Sequence, residues 1–135
     1  MRGLRSIAVA FVLLAALVPG AAAHSSSSAP VTIASATTSD FRVVLVATKR
    51  SGGEIPEARV TLRTFERVRG GWRRTGVYAV SGIYFWKTVT APRAVCRLEI
   101  RTGGAQARFS PHAVVQLLLS PSLGCGRASA YSLVG

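Results

Sequence analysis

The stretch Val60-Thr-Leu-Arg-Thr-Phe-Glu-Arg-Val-Arg-Gly-Gly-Trp-Arg-Arg-Thr-Gly-Val-Tyr-Ala-Val80 decides the fold. Two runs rich in β-branched and aromatic residues, 60–68 and 72–80, flank Gly70-Gly71. Such side chains suit a pleated surface, and glycine supplies the positive φ that tight hairpin turns need. The stretch therefore reads as a β-hairpin turning on Gly70-Gly71. That register opposes Arg69 to Trp72, Arg67 to Arg74, Phe65 to Gly76 and Arg63 to Tyr78. Side chains alternate across a strand, so one face carries Arg63, Arg67, Arg69 and Arg74 interleaved with Phe65, Trp72 and Tyr78. The other face carries Val60, Leu62, Val68, Val77 and Ala79, with Thr64, Glu66, Arg73 and Thr75 nearer the tip. This second face is the expected core side.

Strand patterns continue on both sides of the hairpin. Val31-Thr-Ile-Ala34 alternates weakly, and Phe41-Arg-Val-Val-Leu-Val-Ala-Thr48 puts Phe41, Val43, Leu45 and Ala47 on one face. Ser51-Gly-Gly-Glu-Ile-Pro56 reads as a loop. Ile83-Tyr-Phe-Trp-Lys-Thr-Val89 reads as a strand ended by Ala91-Pro92, with Tyr84 and Trp86 packing on one side and Phe85 on the other. In residues 94–101, Ala94, Cys96, Leu98 and Ile100 are expected inward, and Arg97, Glu99 and Arg101 outward. Gly103-Gly104 turns the chain, and Ala113-Val-Val-Gln-Leu-Leu-Leu119 is apolar enough for a central strand. Residues 120–126 read as a loop and 128–134 as the last strand. A 3.6-residue apolar period is absent from all of this. The expectation is an all-β domain over residues 31–135, a small antiparallel β-sandwich with the immunoglobulin-like arrangement as default.

The first 23 residues have a different character. Arg2 and Arg5 precede an unbroken apolar run from Ile7 to Val18, then Pro19-Gly20 and Ala21-Ala-Ala23. The run falls short of the ~20 apolar residues that span a bilayer, and the small residues suit a signal peptidase. Residues 1–23 are therefore expected to be a signal peptide cleaved after Ala23. The product would be a secreted or extracytoplasmic chain with no stable membrane span. Residues 24–30, with serine at 25 to 28, read as a disordered linker. Export makes the two cysteines, Cys96 and Cys125, an expected disulfide. A bridge of that spacing stabilises by about 3 to 4 kcal/mol in the chain-entropy picture.

The net charge is +12, and all but Lys49 and Lys87 of the 17 cationic side chains are arginine. A GC-rich bacterial genome favours such a composition. An anionic partner (teichoic acid, nucleic acid or a phospholipid surface) would also select for it. Arginine beside aromatic rings suits phosphate contacts with stacking. The binding candidates are accordingly Arg63, Arg67, Arg69, Arg74, Phe65, Trp72 and Tyr78. The five acids, Asp40, Glu54, Glu57, Glu66 and Glu99, form no tight local pair. No phosphate-binding glycine loop, nucleophile elbow or zinc spacing occurs, and no cofactor is implied. The expectation is a non-catalytic binding or structural module.

Two resemblances point elsewhere. Ser122-Leu-Gly-Cys-Gly-Arg127 resembles the cysteine motif of L,D-transpeptidases, Ser-His-Gly-Cys-x-Arg, with Leu123 in place of its histidine. The hairpin segment Phe65-Glu-Arg-Val-Arg-Gly-Gly-Trp72 is similar to strands of the same family. The resemblance implies Cys125 as nucleophile and His112 as its upstream histidine, in a cell-wall enzyme. A bridge to Cys96 would exclude that role. Cleavage after Ala23 would also leave His24 as the mature terminus. There it resembles the copper-chelating terminal histidine of exported copper-binding β-sandwich proteins and lytic polysaccharide monooxygenases, with His112 the only other histidine.

Overall fold

The hairpin forms, but it turns one residue earlier than the glycine pair suggests. The computed structural model describes residues 29–103 and 110–135. The leader, His24, the serine run and Gly104 lie outside the described residues. β1 (Val31–Thr37), β2 (Phe41–Arg50), β3 (Glu57–Val68) and β4 (Gly71–Ala79) form one antiparallel sheet in chain order. β5 (Tyr84–Phe85) pairs with the start of β3. A single helical turn, α1 (Trp86–Val89), leads to the second sheet. There β7 (His112–Ser120) pairs on one side with β6 (Val95–Arg101). It also pairs with β8 (Gly124–Cys125) and β9 (Ser129–Ser132), which run on in nearly one register. Strand makes up 61% of the described residues and helix 4%, so the domain is all-β.

The two sheets share one core. As the alternation requires, Phe41, Val43, Leu45 and Ala47 of β2 point into it, beside Val60 and Leu62 of β3. Ala113, Val115 and Leu117 of β7 face them, and Leu133 closes one end. Leu45, Leu62, Leu117 and Leu133 are wholly buried; each such side chain contributes roughly 1.5 to 3 kcal/mol by leaving water.

In the hairpin, Val68 pairs with Gly71, leaving Arg69 and Gly70 as the two loop residues. Gly70 sits at φ +88°, the left-handed conformation that only glycine adopts cheaply. Phe65 then opposes Arg74, and Arg67 opposes Trp72 rather than Arg74. A β-bulge follows, because Thr64 opposes Gly76 and Thr75 has no partner across the ladder. The bulge reverses the alternation of β4 beyond it. Tyr78 therefore opposes Leu62 on the core side, packing on the Tyr131 ring at 5.4 Å. Val77, expected in the core, is 53% exposed, and Ala79 is exposed with it.

The bulge has a polar cause. Thr64 is the one fully buried polar side chain among the described residues, and its hydroxyl meets that of Thr75 at 2.9 Å. Thr75 in turn donates to the Leu133 carbonyl at 2.7 Å. Gly76 fits only without a side chain: a Cβ would lie 2.8 Å from the Tyr78 ring and 3.0 Å from the Thr64 hydroxyl.

Two further expectations are corrected. Residues 83–89 do not form one strand. Tyr84 and Val89 are both buried, and they are an odd number of residues apart. A continuous strand would send them to opposite faces; the turn α1 brings both inward. Thr90 caps it with a 2.7 Å bond from its hydroxyl to the Trp86 carbonyl. Burial, and secondarily Tyr131, pushes the Tyr84 phenol above its ordinary pKa, while its hydroxyl donates to the Ser81 carbonyl at 2.8 Å. Cys96, expected inward, is exposed, because a bulge between Val95 and Arg97 turns it out. There it bonds to Cys125, so the expected disulfide is present.

Thr75→Val should lower unfolding stability by about 1 to 3 kcal/mol, because the buried Thr64 hydroxyl loses its partner. The double variant Thr64→Val/Thr75→Val should recover part of that loss. Urea unfolding of the four members of this cycle measures both, and a neutral Thr75→Val would contradict the polar cause.

Candidate functional site

The outer face of the first sheet is built by simple alternation. Along β3, Ala58, Val60, Leu62 and Thr64 are buried, so Arg59, Thr61, Arg63, Phe65 and Arg67 point outward. β2 sets Arg42 opposite Phe65 and Val44 opposite Arg63. From the other side β4 sets Arg74 opposite Phe65 and Trp72 opposite Arg67. Paired residues project from the same face. Arg42, Arg63, Arg67 and Arg74 thus surround two aromatic rings, with Arg59 further along the same face, opposite Thr48.

Within that face, Arg42, Val44, Arg63, Phe65 and Trp72 line a hollow of about 210 Å³. Among the described residues, the ion pairs of this sheet use other arginines. Arg73 meets Glu66 at 2.8 Å, and Arg50 meets Glu57 at 3.9 Å. No carboxylate of the described residues lies within 4.0 Å of Arg42, Arg59, Arg63, Arg67 or Arg74. The face is therefore strongly positive, and its guanidinium donors have capacity for an outside acceptor.

Arg67 has structural work of its own. Its guanidinium lies 4.4 Å from the centre of the Trp72 ring, a cation–π contact where the expected register would have set it opposite Arg74. Its Nε donates to the Ser39 carbonyl at 2.6 Å, and its backbone N–H donates to the Asp40 carbonyl at 2.8 Å. Arg67 thus pins the turn between β1 and β2 while holding Trp72 flat on the sheet.

Of the seven residues read from sequence, the structure brings together Arg63, Phe65, Arg67, Trp72 and Arg74. It separates the other two: Tyr78 packs on the core side, and Arg69 stands in the exposed turn. Arg42 was missed. The alternation of residues 41–48 already put Arg42 opposite the core face, but only the pairing of β2 with β3 brings it beside Phe65.

The cysteine motif is arranged otherwise. Cys125 is bonded to Cys96, and no free cysteine remains. Cys125 pairs with Leu118, whereas His112 stands at the far end of β7, its Nδ1 3.2 Å from the Ser110 carbonyl. The six residue steps along β7 from His112 to Leu118 span roughly 20 Å. His24 lies outside the described residues, and no group of three metal-ligating side chains occurs within them. No described helix is long and apolar enough to cross a membrane. Comparison with protein-family models, with curated proteins and with solved structures finds no match to this chain.

Arg67→Ala should cost about 1 to 2 kcal/mol through the lost ring contact and hydrogen bond. Arg74→Ala should stay within about 0.5 kcal/mol of the parent, since the structure gives Arg74 no partner. Parallel thermal and urea denaturation distinguishes these; equal losses would mean that Arg67 does no anchoring.

Proposed function

We propose that this protein is an exported, non-catalytic binding module that holds a phosphodiester polymer of the teichoic acid class on the outer face of its first sheet. The observation that carries this reading is the set Arg42, Arg63 and Arg74, free of carboxylates around the hollow beside Phe65 and Trp72. Arginine forks match phosphate oxygens in two-pronged contacts. The rings give the C–H faces of the polyol units a flat surface to lie on, and a shallow open face suits a chain that passes along it. The leader pattern of residues 1–23 supports action outside the membrane. The bridge between Cys96 and Cys125 suits an oxidising compartment.

We also infer that the domain is a two-sheet sandwich. Its connectivity favours a meander over the immunoglobulin-like default: five consecutive strands stay in one sheet before the chain crosses to the other. Immunoglobulin domains interleave their strands between the sheets.

Retention on immobilised poly(glycerol phosphate) should fall with rising salt. The triple variant Arg42→Ala/Arg63→Ala/Arg74→Ala should bind more weakly and reduce the log–log salt slope by about 2. Arg73→Ala, already paired with Glu66, should bind as the parent does. Single-stranded DNA and anionic vesicles, tested alongside, should be retained less than the polymer. Unchanged retention of the triple variant, or stronger retention on either alternative, overturns the assignment.

A further inference from the structure

A second hollow, of about 750 Å³, opens on the other side of the molecule beside the disulfide. It belongs to the second sheet and to α1, and shares no residue with the arginine face. Leu117 is buried in the core, so its neighbour Leu118 points away from it, onto the outer face of β7. Cys125 opposes Leu118 on that face. The bulge in β6 turns Cys96 to the same place. Pro92 and Pro121 add two more apolar walls, and the cationic side chains of Lys87 and Arg93 complete the lining.

Three features of this hollow point to a ligand. Its volume lies in the range of small-molecule sites, about 300 to 1,000 Å³. Its walls are preformed, because two prolines and a cross-link have little freedom to lose when a ligand binds. Its polarity is divided: apolar walls lie beside two cations, and no carboxylate of the described residues comes within 4.0 Å of either Lys87 or Arg93. A neutral apolar molecule would leave those charges unused. A small anion would leave the walls in water. A molecule with an apolar chain and one anionic head satisfies both.

We propose that this hollow binds a single-chain amphiphile with a carboxylate head, of the fatty acid class. The chain lies against Pro92, Leu118, Pro121 and the disulfide, and the carboxylate faces Lys87 and Arg93. The site is independent of the polymer-binding face, so either can fail without the other.

The test is a titration of the isotope-labelled, oxidised protein with laurate below its micelle concentration, followed through backbone amide shifts. Saturable shifts are expected at Cys96, Leu118 and Cys125, and none at Arg63 or Trp72. Lys87 and Arg93 are exposed, so Lys87→Ala/Arg93→Ala should fold as the parent does. It should bind laurate about tenfold more weakly, the loss expected for charge-assisted contacts. Dodecanol should bind the parent and the double variant alike, at the variant's level for laurate. Absence of saturable shifts overturns the site. Laurate binding that survives the double variant, or dodecanol binding as tight as laurate, overturns the head-group recognition. Tighter binding of dodecyl phosphate would overturn the choice of carboxylate.

Discussion

The hydroxyl chain from Thr64 through Thr75 to the Leu133 carbonyl is the constraint on which the rest of the hairpin depends. A hydroxyl buried completely in an apolar core costs heavily unless it is bonded. Thr64 can be satisfied only if Thr75 leaves the ladder and turns inward, and that displacement is the bulge. Everything beyond it on β4 then changes sides. Tyr78 goes to the core and reaches Tyr131 across the gap between sheets, while Val77 and Ala79 go to solvent. One buried hydrogen bond thus decides which aromatic ring serves the core and which residues remain on the outer face.

Charge is sorted by the same alternation. Glu66 falls on the inward-facing register of β3 near the hairpin tip, where it pairs with Arg73, the residue opposite it. This removes the one acid near the hairpin tip from the arginine side. Glu57 likewise meets Arg50, directly across the ladder from it. Glu99 serves both Arg97 and Arg101 on the second sheet. These exposed pairs contribute little to stability. Their larger consequence is spatial: they draw the few carboxylates away from Arg42, Arg63 and Arg74.

Much of the fold was legible because strand alternation is a strong signal. The inward set Phe41, Val43, Leu45 and Ala47 follows from spacing alone, as does the central apolar strand around Val115. The disulfide was legible from two cysteines behind an export-like leader. Three features were not. The turn shifted because Gly71 pairs with Val68 as the first residue of β4 and leaves Gly70, at φ +88°, as the glycine in the loop. Two adjacent glycines do not say which of them the loop takes. The bulge depends on a contact between Thr75 and Leu133, 58 residues apart, which local pattern cannot express. The turn α1 depends on Tyr84 and Val89 both finding the core, although residues 83–89 have strong strand propensity. Five of the seven residues read for the arginine face share it, while the bulge moves Tyr78 to the core side and the turn takes Arg69. One more, Arg42, lies on a strand position whose neighbours only the pairing identifies.

The disulfide has a role beyond closing a loop. β6 and β8 lie on opposite sides of β7, and each is too short or too irregular to hold its end of the sheet alone. β8 contributes two residues, and β6 begins with a bulge at Cys96. A bond between them fastens both flanks over Leu118, where the pairing is irregular on each side. The bulge that weakens the ladder also puts Cys96 outside the core, and only from there can it reach Cys125. Had Cys96 followed the simple alternation of residues 94–101, its sulfur would face Leu117 and the core, with no route to its partner. The irregularity and the cross-link therefore require each other. Together they leave Leu118 framed by sulfur and proline instead of covered by a neighbouring strand.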